Sequence, residues 1–295
     1  MPPNSSLFPR SRKREDRKQS ETGDPVSNAV VAKYAKCAQH GEVSATVVDY
    51  WDERAVSYSC NVREELEGED LAAWSAVLKR HLPLPEAGVG RALDLGCGPG
   101  FFSIILAQQG FVVDAVDASR GMLAQAAANV KRAQLADSVS FHEGDVSRLP
   151  FSDNEFDAVV LRNVTWLMRD PEAAYAEWRR VLAPGGKLLV FDANWYRYLS
   201  EPSIDEKRRC DQADRTVLGW SDEACATLDQ ERRCEVIAAD LPFTYIDRPA
   251  WDCDTLKRLG FSSVEADERV WEEVWPAGDK AFYATSPLFL IEAVK

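Results

Sequence analysis

A glycine-rich turn with a neighbouring carboxylate is the strongest chemical feature of the sequence. The segment LDLGCGPG, residues 93–100, follows an apolar run and precedes a helical pattern. Its glycines therefore predict a turn at a helix N-terminus, where backbone amides approach a bound ligand closely. The spacing is GxGxG, and Phe101 stands where a dinucleotide fingerprint needs its third glycine. Asp94 would face a diphosphate badly, but it suits the positive ammonium group of a methionine moiety.

Four later segments follow this turn in an order found in a known family. They are VDAVDAS, then GMLAQA, then EGDVSRLPF, then DAVVLRNVTWL with RRVLAPGGKLLVFD. Together with LDLGCGPG, over roughly residues 47–196, they resemble the class I methyltransferases that depend on S-adenosylmethionine (SAM). The resemblance implies a Rossmann-like fold, SAM as the cofactor, and methyl transfer by direct in-line displacement.

The resemblance also implies roles for individual residues. Asp117 matches the acidic residue that accepts hydrogen bonds from both ribose hydroxyls, about 20 residues after the glycine turn as one βαβ half requires. Met122 matches the apolar residue that packs on the adenine, and Asp145 and Val146 match residues that read the adenine edge. The predicted cofactor-binding set is Asp94, Gly96, Cys97, Gly98, Gly100, Asp117, Ala118, Met122, Asp145, Val146 and Arg162.

Aromatic and polar residues at the ends of the fourth and fifth predicted strands form a candidate acceptor site. Ligands of open α/β sheets bind at these carboxyl ends. The helix at 50–58 adds three residues on one helical face and resembles the helix before the sheet in methyltransferases related to quinone and sterol modifiers. If a proton must leave the acceptor, Asp192 is the predicted proton acceptor. The predicted substrate-binding residues are Trp51, Arg54, Tyr58, Asn163, Trp166, Asn194, Trp195 and Tyr196.

Alternating strand and helix patterns must position these residues. Between residues 91 and 190, short apolar runs alternate four times with helical stretches, which is the pattern of βαβ units. We therefore predict an α/β fold: a Rossmann-like, doubly wound, seven-stranded and mostly parallel sheet. Helices over 26–83 should pack across the mouth of the first strand. The segment 197–248, which the sheet does not need for closure, is predicted to be an inserted lid over the acceptor pocket. Residues 26–295 would form this domain.

The composition limits the classes of binding partner that we expect for this protein. The net charge of −13 disfavours nucleic acid, and the basic segment 1–25 is predicted to be a disordered leader without a secretion signal. The sequence contains no membrane-spanning run, CxxC pair or zinc spacing, so we expect a cytoplasmic, metal-independent protein with reduced cysteines. His142 is expected to point away from the cofactor. A small-molecule acceptor is the leading interpretation. A protein or tRNA methyltransferase and a non-catalytic SAM-binding protein remain alternatives, and the oligomeric state is not determined.

Overall fold

The structure of the protein is a computed structural model that describes residues 44–68, 70–82, 89–212 and 226–295. The predicted leader at 1–25 and the start of the predicted helical cap lie outside the described residues, as does the stretch 213–225 of the predicted lid. Within the described ranges, no helix combines the length and the apolar character needed to cross a membrane.

Seven strands form one sheet. In chain order they are β1 (Arg91–Leu95), β2 (Val112–Asp117), β3 (Val139–Glu143), β4 (Phe156–Arg162), β5 (Leu182–Asp192), β6 (Ser263–Asp267) and β7 (Phe289–Val294). Their spatial order is β3-β2-β1-β4-β5-β7-β6. The first five are parallel, β7 is antiparallel to β5, and β6 is antiparallel to β7. This confirms the mostly parallel, Rossmann-like sheet and places its topological switch point between β1 and β4, where such sheets bind ligands.

Helices cover both faces of the sheet. They are α1 (Ala45–Glu67), α2 (Asp70–His81), α3 (Phe101–Gln108), α4 (Arg120–Arg132), α5 (Pro171–Val181), α6 (Pro202–Asp211), α7 (Leu228–Ala238), α8 (Ala250–Arg258), α9 (Trp271–Val274) and α10 (Ala277–Phe282).

Two apolar clusters hold these layers together, one on each face of the sheet. Val160 of β4 belongs to the cluster that contains α2 and α3, whereas its neighbours Val159 and Leu161 belong to the cluster that contains α5. Successive strand side chains point to opposite faces, so a strand that is buried on both faces is a continuous apolar run. The segment DAVVL has this character.

Hydrogen bonds join helix α1 to the start of α4. The carboxylate of Asp52 accepts hydrogen bonds from the Ser119 hydroxyl at 2.5 Å and from the Gly121 amide at 2.9 Å. A β-carbon at Gly121 would lie 3.0 Å from the Ala55 β-carbon, which is tighter than usual contacts, so glycine favours the close approach of the two helices. The anchor holds α1 over the carboxyl ends of the parallel strands.

The described part of 197–248 rests on α1. Arg54 donates a hydrogen bond to Gln230 at 3.2 Å, and Arg233 forms an ion pair with Glu53 at 2.5 Å. An apolar cluster that includes the buried Cys234 packs behind these links. Helix α7 is therefore joined to α1 by both polar and apolar contacts.

Candidate functional site

A cavity of about 110 Å³ lies between α1, the turn after β1, and the ends of β2 and β4. The turn, the Asp117 strand end and helix α1 supply its walls. Ten of the eleven predicted cofactor-binding residues line it: Asp94, Gly96, Cys97, Gly98, Asp117, Ala118, Met122, Asp145, Val146 and Arg162.

The glycine turn has two parts with different physical roles. Gly96 and Gly98 have φ angles of +62° and +50°, which side chains rarely adopt. A β-carbon at Gly96 would lie 2.4 Å from a methyl of Val164, so this glycine permits tight packing inside the protein. A β-carbon at Gly98 would approach only Tyr58 among the described residues, at 3.8 Å. The absence of a side chain at Gly98 therefore leaves space for a ligand in the cavity.

Gly100 does not line the cavity. Its φ is +91°, and a β-carbon there would lie 3.3 Å from the β-carbon of Ala126 on α4. The prediction that Gly100 contacts the cofactor is therefore at odds with its place in the fold. The residue serves the packing of α3 against α4 instead.

Two carboxylates face the cavity, of which Asp94 is buried and Asp117 is half-buried. Asp94 accepts a hydrogen bond from the Ser103 hydroxyl at 2.6 Å, and burial followed by the charge of Asp117 raises its pKa to about 7. Asp117 accepts hydrogen bonds from the backbone amides of Gly98 at 2.8 Å and Ser119 at 2.9 Å. Burial raises its pKa to about 6 despite these donors. A ligand that brings positive charge or hydroxyl donors would stabilise the charged form of both carboxylates.

A second, larger cavity of about 330 Å³ adjoins the first. Seven of the eight predicted substrate-binding residues line it: Trp51, Arg54, Tyr58, Asn163, Trp166, Trp195 and Tyr196. Four residues line both cavities: Trp51, Tyr58, Arg162 and Asn163. The two spaces therefore meet at the end of β4. Burial raises the pKa of Tyr58 and of Tyr196 above the ordinary phenol value, so both hydroxyls stay protonated near neutral pH.

Arg162 and Asn163 form the junction between the cavities. The guanidinium of Arg162 forms an ion pair with Glu65 at 2.7 Å and lies 4.1 Å from the ring centre of Phe101, which fixes its position. Asn163 has a φ of +61°, and its Oδ1 is buried without a hydrogen-bond partner among the described residues. Strained backbone and an unpaired buried acceptor together are typical of ligand-binding positions.

The structure contradicts the predicted role of Asp192. Its side chain is fully buried, lines neither cavity, and forms an ion pair with Arg248 at 2.9 Å. It also accepts hydrogen bonds from the Thr165 hydroxyl, the Trp166 amide at 3.1 Å and the Trp195 indole at 2.8 Å. A carboxylate with this many donors orients the loops after β4 and β5 and cannot reach an acceptor. No sequence pattern indicates Arg248, its partner from a distant segment.

Asn194 is likewise a structural residue. Its amide donates to the backbone carbonyl of Arg248 at 2.9 Å and accepts from the amide of the same residue at 3.3 Å, and it lines neither cavity. His142 also lies outside both cavities and pairs with Asp114 at 2.8 Å.

The sequence reasoning missed one wall of the larger cavity. The residues Trp275, Asp279 and Tyr283 come from the short helices α9 and α10 and the turn after them. The segment WEEVWPAGDKAFY between the last two strands is dense in aromatic residues, and that density was the available signal. Asp52, the anchor of α1, was missed because its partners lie about 70 residues further along the chain.

Comparison with known proteins agrees with this geometry. A family model described as a methyltransferase domain matches residues 93–190. Demethylmenaquinone methyltransferase from Renibacterium salmoninarum is 43% identical over 104 residues, which are 34% of this chain and 40% of that protein. The corresponding enzyme from Clavibacter sepedonicus is 43% identical over 112 residues, or 36% of this chain and 42% of that protein. The chain thus spans less than half of the length of these relatives.

Residues 93–190 thus match a methyltransferase domain, and the chain resembles class I SAM-dependent methyltransferases. Among solved structures, phosphoethanolamine N-methyltransferase 2 from Haemonchus contortus in complex with SAM has a TM-score of 0.57 and 19% identity, covering 86% of this chain and 60% of that one. This likeness shows a shared fold. The match to the family model ends at residue 190 and includes every residue that lines the smaller cavity except those of α1.

The smaller cavity fits SAM by its own chemistry. Asp94 is a buried carboxylate with a raised pKa, and the ammonium of the methionine moiety would restore its charge. Asp117 stands at the end of β2, where its oxygens can accept from ribose hydroxyls. Met122 is buried on the same cavity and offers an apolar surface for the adenine.

Proposed function

We propose that the protein transfers a methyl group from SAM to a small-molecule acceptor held in the larger cavity. The observation that carries this proposal is the shared boundary of the two cavities. Because Trp51, Tyr58, Arg162 and Asn163 line both, ligands in the two spaces would touch at the end of β4. A methyl group and its acceptor must meet at such a boundary.

The protein contributes alignment and exclusion of water. SAM supplies an electrophilic methyl carbon when it is bound, so the chain needs no covalent nucleophile of its own. Alignment of acceptor, methyl carbon and leaving sulfur supplies much of the rate enhancement of such a displacement. The rings of Trp51 and Tyr58, which are packed edge to face with centroids 5.5 Å apart, form a rigid wall at the boundary.

Two observations favour a small acceptor over a macromolecule. The larger cavity, at about 330 Å³, is within the range of small-molecule sites and is bounded by α1, α7 and α10. The relatives that match 34–36% of the chain at 43% identity include enzymes that methylate demethylmenaquinone, a small molecule. The net charge of −13 also disfavours a nucleic acid acceptor.

The segment 197–248 is proposed to act as the lid of the larger cavity. Tyr198, Arg208 and Glu235 from its described part line that cavity, and α7 is joined to α1 through Arg54 and Gln230. A lid at this place would exclude water and select the acceptor.

Mass spectrometry tests the function. The purified protein is incubated with methyl-deuterated SAM and a metabolite extract, and the products are S-adenosylhomocysteine and one compound that carries the labelled methyl group. The Asp117→Asn variant, which we expect to bind SAM poorly, is the matched control. Cofactor binding without any labelled product in extracts of varied origin would favour a non-catalytic SAM-binding protein.

A deletion tests the lid separately. Replacing residues 200–246 with a short glycine-serine linker should leave the binding of S-adenosylhomocysteine within about threefold of the full protein and abolish labelled product. A milder variant, Gln230→Ala, removes the Arg54 hydrogen bond and should raise the KM for the acceptor. Full turnover after the deletion would show that the segment has no part in catalysis.

A further inference from the structure

Three aromatic rings form one corner of the larger cavity. The centroid of Trp195 lies 6.3 Å from that of Trp275 and 5.5 Å from that of Tyr283, and the last two centroids are 5.6 Å apart. All three side chains line the cavity. We refer to Trp195, Trp275, Tyr283 and Asp279 as the aromatic corner.

Asp279 supplies negative charge to this corner. Its Oδ1 is inaccessible to solvent and has no hydrogen-bond partner, and its carboxylate has no ion pair, within the part of the chain that the structure describes. Burial, followed by the charges of Glu65 and Asp70, raises its pKa to about 7, and Arg162 opposes this effect. Asp279 as a whole is half-buried, but an inaccessible carboxylate oxygen without a partner is costly unless a ligand supplies the missing interaction.

Three arginines line the same cavity, and Arg54 donates a hydrogen bond to Gln230 at 3.2 Å. Arg162 forms an ion pair with Glu65 at 2.7 Å, and Arg208 lies over the Tyr198 ring at 3.7 Å and within 3.8 Å of Glu235. None of the three arginines forms an ion pair with Asp279 within the described residues. The larger cavity therefore combines aromatic walls with a carboxylate that has no ion-pair partner among the described residues.

We propose that the aromatic corner binds a positively charged nitrogen of the methyl acceptor, so that the acceptor is a cationic amine. The inference rests on the proposed function, since it names the class of molecule that the larger cavity holds. Ring faces attract a cation through their quadrupole, and the carboxylate provides the counter-charge. An organic ammonium suits the corner better than a metal ion, because aromatic carbons offer no oxygen ligands.

A matched pair of probes tests the charge requirement. Choline and its neutral carbon isostere 3,3-dimethylbutan-1-ol have the same shape and differ in charge. Binding of each is measured by ligand-observed NMR at pH 8, with and without saturating S-adenosylhomocysteine. We expect wild-type protein to bind choline at least about tenfold more tightly than the isostere, a preference of about 1.4 kcal/mol.

Variants assign this preference to the corner. Asp279→Asn preserves the shape of the side chain and should reduce the preference for choline to less than about threefold. Trp275→Leu should weaken choline binding and leave the isostere unchanged. Asp254→Asn, an exposed residue of α8, is the control and should keep the wild-type preference.

The outcomes separate the two proposals. Equal binding of both probes, no binding of choline at millimolar concentration, or an unchanged preference in Asp279→Asn would overturn the cationic-amine inference. Failure of the wild-type protein to bind S-adenosylhomocysteine, measured by calorimetry on the same sample, would instead overturn the proposed function.

Discussion

Gly98→Ala separates cofactor binding from folding more sharply than any other single change in the glycine turn. The added methyl group would project into the smaller cavity and leave 3.8 Å to Tyr58. Carbon atoms in contact are already about 3.5–4.0 Å apart, so no ligand atom fits between them. The added methyl group should cause no clash within the protein, because Tyr58 supplies the only atom found within 4 Å among the described residues.

The magnitude follows from two separate costs. An alanine in the left-handed region destabilises the folded protein by about 1–2 kcal/mol. Crowding a close-fitting site with one extra carbon costs about 1–3 kcal/mol of binding, which corresponds to about 5- to 150-fold in the dissociation constant. Gly185→Ala is the matched control. Its φ is +79°, but nothing lies within 4 Å of its β-carbon and it lines neither cavity, so it should incur only the first cost.

Urea denaturation and calorimetry with S-adenosylhomocysteine measure the two costs. We expect both variants to lose similar free energy of unfolding and only Gly98→Ala to lose affinity. Wild-type affinity in a folded Gly98→Ala protein would refute the assignment of this turn to the cofactor. An equal loss of affinity in Gly185→Ala would show that the effect arises from general destabilisation.

Three further predictions concern buried charges. Asp117→Asn should weaken binding of S-adenosylhomocysteine by at least about tenfold, because each charge-assisted hydrogen bond contributes about 1.5–3 kcal/mol; calorimetry on the folded variant checks this. The pKa of Asp94 is raised to about 7 from an ordinary value of 3.8, so its charging opposes folding, and the free energy of unfolding of the cofactor-free protein should fall as pH rises from about 4 to 7. Urea denaturation of Asp94→Asn across this range should show a shallower fall, and an equally steep fall would contradict the assignment. Arg248→Met leaves Asp192 and a second buried carboxylate uncompensated and should cost about 3–5 kcal/mol of stability by thermal melting. The exposed ion pair broken by Arg258→Met should cost less than about 1 kcal/mol, and similar losses in both variants would argue against this view of the network.

The sequence by itself determined the sheet and most of the cofactor cavity. Both depend on local patterns: apolar runs such as DAVVL set the parallel strands, and the positions that follow each strand are brought to one edge by the topology. The glycine turn, the spacing and the resemblance to a known family together placed Asp94, Gly98 and Asp117, and all three line one cavity in the structure.

The acceptor side depended on contacts that no spacing encodes. Asp192 has the position of a catalytic carboxylate at a strand end, but Arg248, which lies 56 residues further along the chain, neutralises it in the core. No sequence pattern singles out Asp279, whereas α10 places it on the larger cavity with an Oδ1 that has no hydrogen-bond partner among the described residues. Whether a buried carboxylate is a structural or a functional group depends on which charges surround it in three dimensions, and only the tertiary structure decides that.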